Sequence, residues 1–232
     1  MNIRKDPETR RKLLDSIAQR EFHERTGVHG SDLCYCLNKQ ALRKLDPAEQ
    51  TDEETLIFSL GWSTQRWLTG TFDSEEEYTI DGITITPDSD IGGCPWELKA
   101  TYQSSSRPIE ENVHWIRQIM SQCYVTDSTI ATLSRLEIMG DWGWVFGRKG
   151  LTKEESKLFK KQSKHPTLSA YILEFSKEEL DTHWEWMKQR RDLFVKILET
   201  KKLQPKIIAL ASGSGWECDY CTYREKCEEE LK

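Results

Sequence analysis

The sequence predicts a mixed α/β fold, and two observations carry that reading. Helix-start signals or apolar residues at helical spacing mark the first third of the chain, the segment after Pro108 and the segment Glu178–Thr200. Between the first two of these, three runs over residues 76–101 alternate with period two. They are separated by Asp81-Gly82 and Gly92-Gly93, dipeptides that close tight hairpins. The expected order is helices, a strand meander, a helix, two strands and a helix.

Each element has its own signal. A first helix starts after Asp6-Pro7. Ser31-Asp32-Leu33 reads as a second start, with Ser31 as N-cap of a helix through Cys34–Leu45. Asp52 caps a third helix over about Glu53–Leu68. Strands follow at Glu76–Asp81, Ile83–Asp88 and Pro95–Thr101. Pro108 opens a helix whose apolar positions Ile109, Val113, Ile116 and Met120 step by four, three and four. Thr129–Ile138 and Leu168–Phe175 are the next strands, and the Lys-rich stretch Gly150–His165 between them reads as an exposed loop or short helix. Glu178–Thr200 is a long amphipathic helix with Leu180, Trp184, Met187, Phe194 and Leu198 on its core face. Pro205 and a Gly213–Gly215 linker then lead to the C-terminal residues.

Composition bounds the function. The chain has 232 residues, 37% hydrophobic and 31% charged, with nine Trp, seven Tyr and seven Phe as core material for a single domain. Its mean hydropathy is −0.69. No run approaches the roughly 20 apolar residues of a membrane span, and the N-terminus lacks the apolar region of a secretory signal. A cytoplasmic protein with no membrane partner is expected. The balance of 33 basic against 39 acidic residues, net −6, argues against binding by diffuse phosphate contact, although only the field at a groove matters. The basic clusters Arg10–Lys12, Lys157–Lys164, Lys188–Arg191 and Lys201–Lys206 read as solvated faces.

Chemistry concentrates in Thr86-Pro87-Asp88-Ser89-Asp90-Ile91-Gly92-Gly93-Cys94-Pro95-Trp96-Glu97-Leu98-Lys99. A Gly92-Gly93 turn pairs Ile91 with Cys94, Asp90 with Pro95 and Asp88 with Glu97. Opposed side chains lie about 5 Å apart at Cβ, so two carboxylates there need a cation between them. Mg²⁺ or Mn²⁺ suits such oxygens. Lys99 shares the face of Glu97, and a divalent ion, two acids and a lysine are the minimal set for phosphodiester hydrolysis. Asp90 replaces Asp88 if the turn is longer. His114, Gln118 and Gln122, spaced by four, form one polar stripe on the following helix.

The seven cysteines form a second constellation. Cys218, Cys221 and Cys227 fall within the last 15 residues and read as a ligand set in need of a fourth thiol. Four thiolates suit tetrahedral zinc or an iron–sulfur cluster, and spacing does not choose between them. Cys94 and Cys123 read as buried, unliganded thiols.

Together these motifs resemble the PD-(D/E)xK nuclease superfamily, in the RecB-like branch that carries an iron–sulfur cluster and includes CRISPR-associated exonucleases and AddB-type nuclease domains. Thr86-Pro87-Asp88 followed by Glu97-Leu98-Lys99 is similar to the catalytic acid and Glu-x-Lys of that family. The resemblance implies a restriction-endonuclease-like core, a central mixed sheet flanked by helices. Asp88, Glu97 and the Leu98 carbonyl would be metal ligands, with Lys99 and Gln118 as further catalytic groups. Gly61-Trp62-Ser63-Thr64-Gln65 fits the upstream Gly-x-x-x-His element, with Gln65 in place of His. Gln118 begins the Gln-x-x-x-Tyr signature, with Gln122 in place of Tyr and Tyr124 two residues on. Ser31–Lys39 resembles the N-terminal cysteine motif with Cys36 as fourth ligand and Cys34 as an extra neighbour. The implied cofactor is a structural 4Fe–4S cluster, with zinc as the alternative. It would tie a helical part, 1–72, to a cysteine segment, 203–232, around a nuclease core, 73–202. The implied function is a metal-dependent DNA exonuclease of CRISPR adaptation, phage replication or recombination and repair, with DNA ends as substrate and adaptation or recombination proteins as partners. The alternative is a catalytically degenerate subunit that binds DNA ends or serves assembly, which the two Gln replacements and the net acidity favour.

Overall fold

A computed structural model describes residues 4–22, 25–70, 76–140, 152–155, 157, 166–213 and 215–231. Most of the predicted Lys-rich stretch 150–165, with its basic cluster, lies outside these residues, as does Ser214 of the predicted linker. Helix α1 runs over Pro7–Glu21, with Asp6 accepting from the Thr9 amide as its N-cap. Helices α2 (Gly30–Cys34) and α3 (Leu37–Leu45) replace the single predicted helix. Its N-cap is His29 rather than Ser31, and the Asp32 carboxylate accepts from the His29 amide at 3.2 Å. The break at Tyr35-Cys36 has a physical cause. Backbone groups that a continuous helix would pair internally are taken by distant side chains: Arg190 binds the Leu33 and Tyr35 carbonyls, and Glu217 accepts from the Cys36 amide. Helix α4 (Asp52–Thr69) is capped by Thr51 in a reciprocal pair with Glu54, so Asp52 is its first residue and not its cap.

The strand block folds as two sheets among the described residues. Strands β1 (Tyr78–Ile80) and β2 (Ile83–Ile85) form a two-stranded sheet through Asp81-Gly82, both residues at positive φ. The second predicted strand therefore ends at Ile85, and Pro87, which lacks an amide donor, follows the break. Strands β3 (Ser89–Ile91), β4 (Cys94–Thr101), β5 (Ile130–Glu137) and β6 (Thr167–Glu174) form the main sheet in that order. The β4–β5 pair is parallel and the β3–β4 and β5–β6 pairs are antiparallel, so the sheet is mixed.

The crossover between the parallel strands is a 3₁₀ turn, Ile109–Glu111, followed by α5 (Val113–Val125). Its buried face differs from the predicted one. Trp115, Ile119, Gln122 and Cys123 point inward, whereas Val113 is exposed. Helix α6 (Lys177–Thr200) is capped by Ser176 with Glu179 and buries Leu180, Trp184, Met187, Phe194 and Ile197; Ile197 takes the place predicted for Leu198. Short helices α7 (Lys206–Ala209), α8 (Trp216–Asp219) and α9 (Arg224–Glu230) complete the chain.

Two cores hold these layers together. One joins Leu33, Leu37, Ile83, Ile85, Trp184, Met187 and Phe194, packing α2 and α3 and the small sheet against α6. Gly30 allows the closest approach there, since a Cβ on it would lie 2.3 Å from Ile85 Cδ1. The other joins Ile109, Trp115, Ile119, Ala131, Leu133 and Leu180 between α5 and the main sheet. Among the described residues no helix is long and apolar enough to cross a membrane.

Candidate active site

The hairpin that carries the acids closes in the predicted register: Ile91 with Cys94, Asp90 with Pro95 and Ser89 with Trp96. Gly92 and Gly93, at φ +63° and +85°, make the turn. The Asp90 carboxylate accepts from the Gly93 amide at 2.9 Å and is exposed, so Asp90 serves the turn and is not brought to Glu97. Asp88 instead reaches across to β4, where it accepts from the Leu98 amide at 2.8 Å.

Glu97 and Lys99 project from the face of β4 that α5 covers. Glu97 is 3% exposed. One of its oxygens is ion-paired with Lys99 Nζ, and the other accepts from Gln122 Nε2 of α5. Burial opposes charge on Lys99, but Glu97 and then Asp88 outweigh it and hold the ammonium above the ordinary lysine range. Lys99 thus brings positive charge within reach of both acids. Gln118, one turn before Gln122, is half-buried with its Oε1 unpaired, and Gln122 Oε1 is likewise buried without a donor. Orphaned buried acceptors are uncommon, and here two point from one helix stripe. The predicted polar stripe is therefore buried against the sheet at Gln122.

Tyr124 stacks on Trp184 at 4.5 Å between the ring centroids and belongs to the core. Gln65 is half-buried on α4, a helix that packs against β4. Cys34 is wholly buried in the first core, and burial pushes its thiol up to about 12. Cys123 is buried, while Cys94 is half-buried rather than enclosed.

The remaining four cysteines come together. Cys36, Cys218, Cys221 and Cys227 line one pocket that is partly open to solvent. Asn38 Nδ2 donates to Cys227 Sγ at 3.6 Å. Glu217, also on the pocket wall, accepts from the Cys36 amide at 2.9 Å, and burial raises its carboxyl above the usual range. Lys39, Lys206 and Arg224 bring positive charge to the same wall. Among the described residues, no three His, Cys, Asp or Glu side chains are arranged to hold a single metal ion.

Several supporting residues were not foreseen. Arg190 donates to four carbonyls, of Leu33, Tyr35, Ile208 and Ala209, and so clamps α2 and α7 to α6. It lies in a cluster read as solvated, yet it falls on the same helical stripe as Met187, Phe194 and Ile197, and that spacing is the signal that it is buried. Arg117 and Arg190 both lie over the Trp186 ring, at 4.2 and 5.0 Å. Next to Lys99 in register, Arg135 of β5 is fully buried, ion-paired with Glu137, and donates to the Ser105 and Arg107 carbonyls. It thereby pins the loop that leaves the Glu-x-Lys strand. No single-sequence signal separates this Arg-x-Glu from a surface pair.

No protein-family model matches the chain, and no curated protein matches it in sequence. Among solved structures, the chain is similar in fold to SSO0001, at a TM-score of 0.55 and 14% identity over 97% of this chain and 98% of that one. It also matches a phage-related exonuclease from Haemophilus somnus 129PT (TM-score 0.45, 10% identity, 77% of this chain and 97% of that one). A third match is the alkaline exonuclease LHK-Exo from Laribacter hongkongensis (TM-score 0.40, 13% identity, 75% and 89%).

Proposed function

We propose that the chain is a metal-dependent DNA nuclease with a restriction-endonuclease-like core, acting as an exonuclease on DNA ends. The observation that carries this reading is the constellation of Asp88, Glu97 and Lys99. Asp88 is bonded to the Leu98 amide, Glu97 is paired with Lys99, and Lys99 is held charged by both acids. The acids fit a divalent cation because Glu97 is paired with the Lys99 ammonium and Asp88 lies within electrostatic reach of it. Asp88, Glu97 and the Leu98 carbonyl would hold Mg²⁺ or Mn²⁺, which would supply an activated water and a polarised phosphate when bound. Lys99 would then turn from Glu97 to the phosphate and offset the charge that develops during cleavage. Gln122 orients Glu97 through its amide, and Gln118 offers an unpaired carbonyl to a water or to substrate.

A 4Fe–4S cluster on Cys36, Cys218, Cys221 and Cys227 is supported by the observation that all four cysteines line one pocket. Its role would be to tie the N-terminal helices to the C-terminal segment. One observation favours the second reading, a DNA-end-binding or assembly subunit without catalysis: both Glu97 oxygens are engaged by protein nitrogens.

The test incubates anaerobically purified protein with end-labelled single- and double-stranded DNA in Mg²⁺, Mn²⁺ or EDTA, beside Glu97→Ala. Metal-dependent cleavage that is absent in the variant supports the nuclease. Cleavage retained in Glu97→Ala overturns the site, and DNA binding without cleavage moves the assignment to the second reading.

A further inference from the structure

Three aromatic side chains meet between the Glu-x-Lys strand and the cysteine pocket. Tyr35, in the break between α2 and α3, lies 5.1 Å from the His114 ring of α5, which lies 5.5 Å from Trp216 at the start of α8. These residues come from parts of the chain more than 100 positions apart in some pairs, so no local regularity explains the assembly. Trp216 remains 43% exposed although it is a large apolar ring, and His114 and Tyr35 are half-buried.

The surroundings are cationic on one side. His114 lies within electrostatic reach of Lys99, Arg107 and Arg117; burial and then these three charges push its imidazole down to about 4, leaving a neutral ring at pH 7. Tyr35 lies within reach of Lys99 as well, and of the Glu97 and Glu217 carboxylates. Neutral π faces within reach of these cations are complementary to a nucleotide, whose base offers a π face and whose phosphate offers negative charge.

We propose that Tyr35, His114 and Trp216 form a stacking platform for the unpaired terminal base of a DNA strand whose phosphate lies toward Lys99. The platform rests on the nuclease reading for its substrate. It adds that the enzyme recognises the end of a strand through a base, irrespective of which base it is, because every base presents a π face.

The experiment compares two oligonucleotides that are identical except that the terminal nucleotide of one lacks its base. The wild-type full chain is assayed for cleavage in Mn²⁺, and for equilibrium binding in EDTA by fluorescence anisotropy. The expected result is weaker binding and a higher KM for the abasic end by about tenfold, with kcat little changed. Trp216→Ala and His114→Ala should lose this discrimination, and Trp216→Phe should keep most of it. Equal KM and Kd for the two ends in the wild type overturns the platform without requiring any variant to fold. Absence of metal-dependent cleavage by the wild type counts against the nuclease alone, because the binding comparison in EDTA still reads the platform.

Discussion

Glu97 is a buried carboxylate with two nitrogen partners, and this makes Gln122 a residue of consequence. Its amide is the donor that keeps the second Glu97 oxygen satisfied. Gln122→Leu removes it and leaves a buried acceptor on a charged group, so stability should fall by about 1–3 kcal/mol, read from urea unfolding. Arg190 is the larger case, since one guanidinium satisfies four carbonyls from two elements. Arg190→Met should cost about 3 kcal/mol or more. Arg190→Lys should not restore it, because one ammonium cannot span the planar fork. An Arg190→Lys protein as stable as wild type would refute the clamp. Of the candidate site residues, Asp88, Glu97 and Lys99 were legible because a Gly-Gly turn fixes the register of the hairpin that carries them. Gln122 was legible as a member of a stripe and as the residue in place of the signature Tyr. Whether that stripe meets water or the sheet depends on how α5 is rotated, and its polar residues gave no apolar signal.

At the scale of elements, local chemistry was a dependable guide where one element closes on itself. The two hairpin turns, the start of α1 at Asp6-Pro7 and the strands β5 and β6 lie where the pattern placed them, because turns and helix starts are settled within about four residues. Two caps lie beside the residues first favoured: Thr51 in place of Asp52, and His29 in place of Ser31. The α2–α3 helix was misread because its interruption is imposed from positions 190 and 217. The hairpin turn provides a test of how strictly register governs the site. Gly93→Val places a β-branched residue at φ +85° and should destabilise the protein by about 1–2 kcal/mol, whereas Gly92→Asn at φ +63° should be tolerated. If Asp88 depends on this register, Mn²⁺ affinity by calorimetry should fall in Gly93→Val and hold in Gly92→Asn.

For the whole molecule, burial of polar groups sets the response to acid. His183 is 7% exposed, bonded to Ser121 Oγ at 3.0 Å, stacked on Trp186 and close to Arg117. Burial, and then the charge of Arg117, pushes it down to about 4. An unfolded chain takes up this proton near pH 6.5 and the folded one near 4. The associated stability is therefore complete above pH 6.5 and is lost as pH falls through 4, by about 3 kcal/mol for this group. Urea midpoints should drop between pH 7 and pH 4, and His183→Gln should flatten that drop. The cysteine pocket joins residues from the two ends of the chain, and Cys227 packs with Leu42 and Tyr223 in a small cluster of its own. Cys221→Ser should reduce bound iron or zinc by elemental analysis and lower the melting temperature by several degrees. Unchanged metal content and Tm in that variant would remove the pocket from consideration as a cofactor site.

By itself the sequence determined the mixed α/β order, the acidic hairpin with its register and the cysteine set, because each follows from period, turn residues or spacing over short distances. The family resemblance pointed to Cys36, and the tertiary structure shows why it and not Cys34 shares a pocket with Cys218, Cys221 and Cys227: Arg190 and Glu217 break the helix between them. The tertiary structure alone decided that Gln122 is buried on Glu97, and that Tyr35, His114 and Trp216 meet. Those outcomes depend on how elements far apart in sequence pack, and a local pattern carries no record of the partner that will lie across from it.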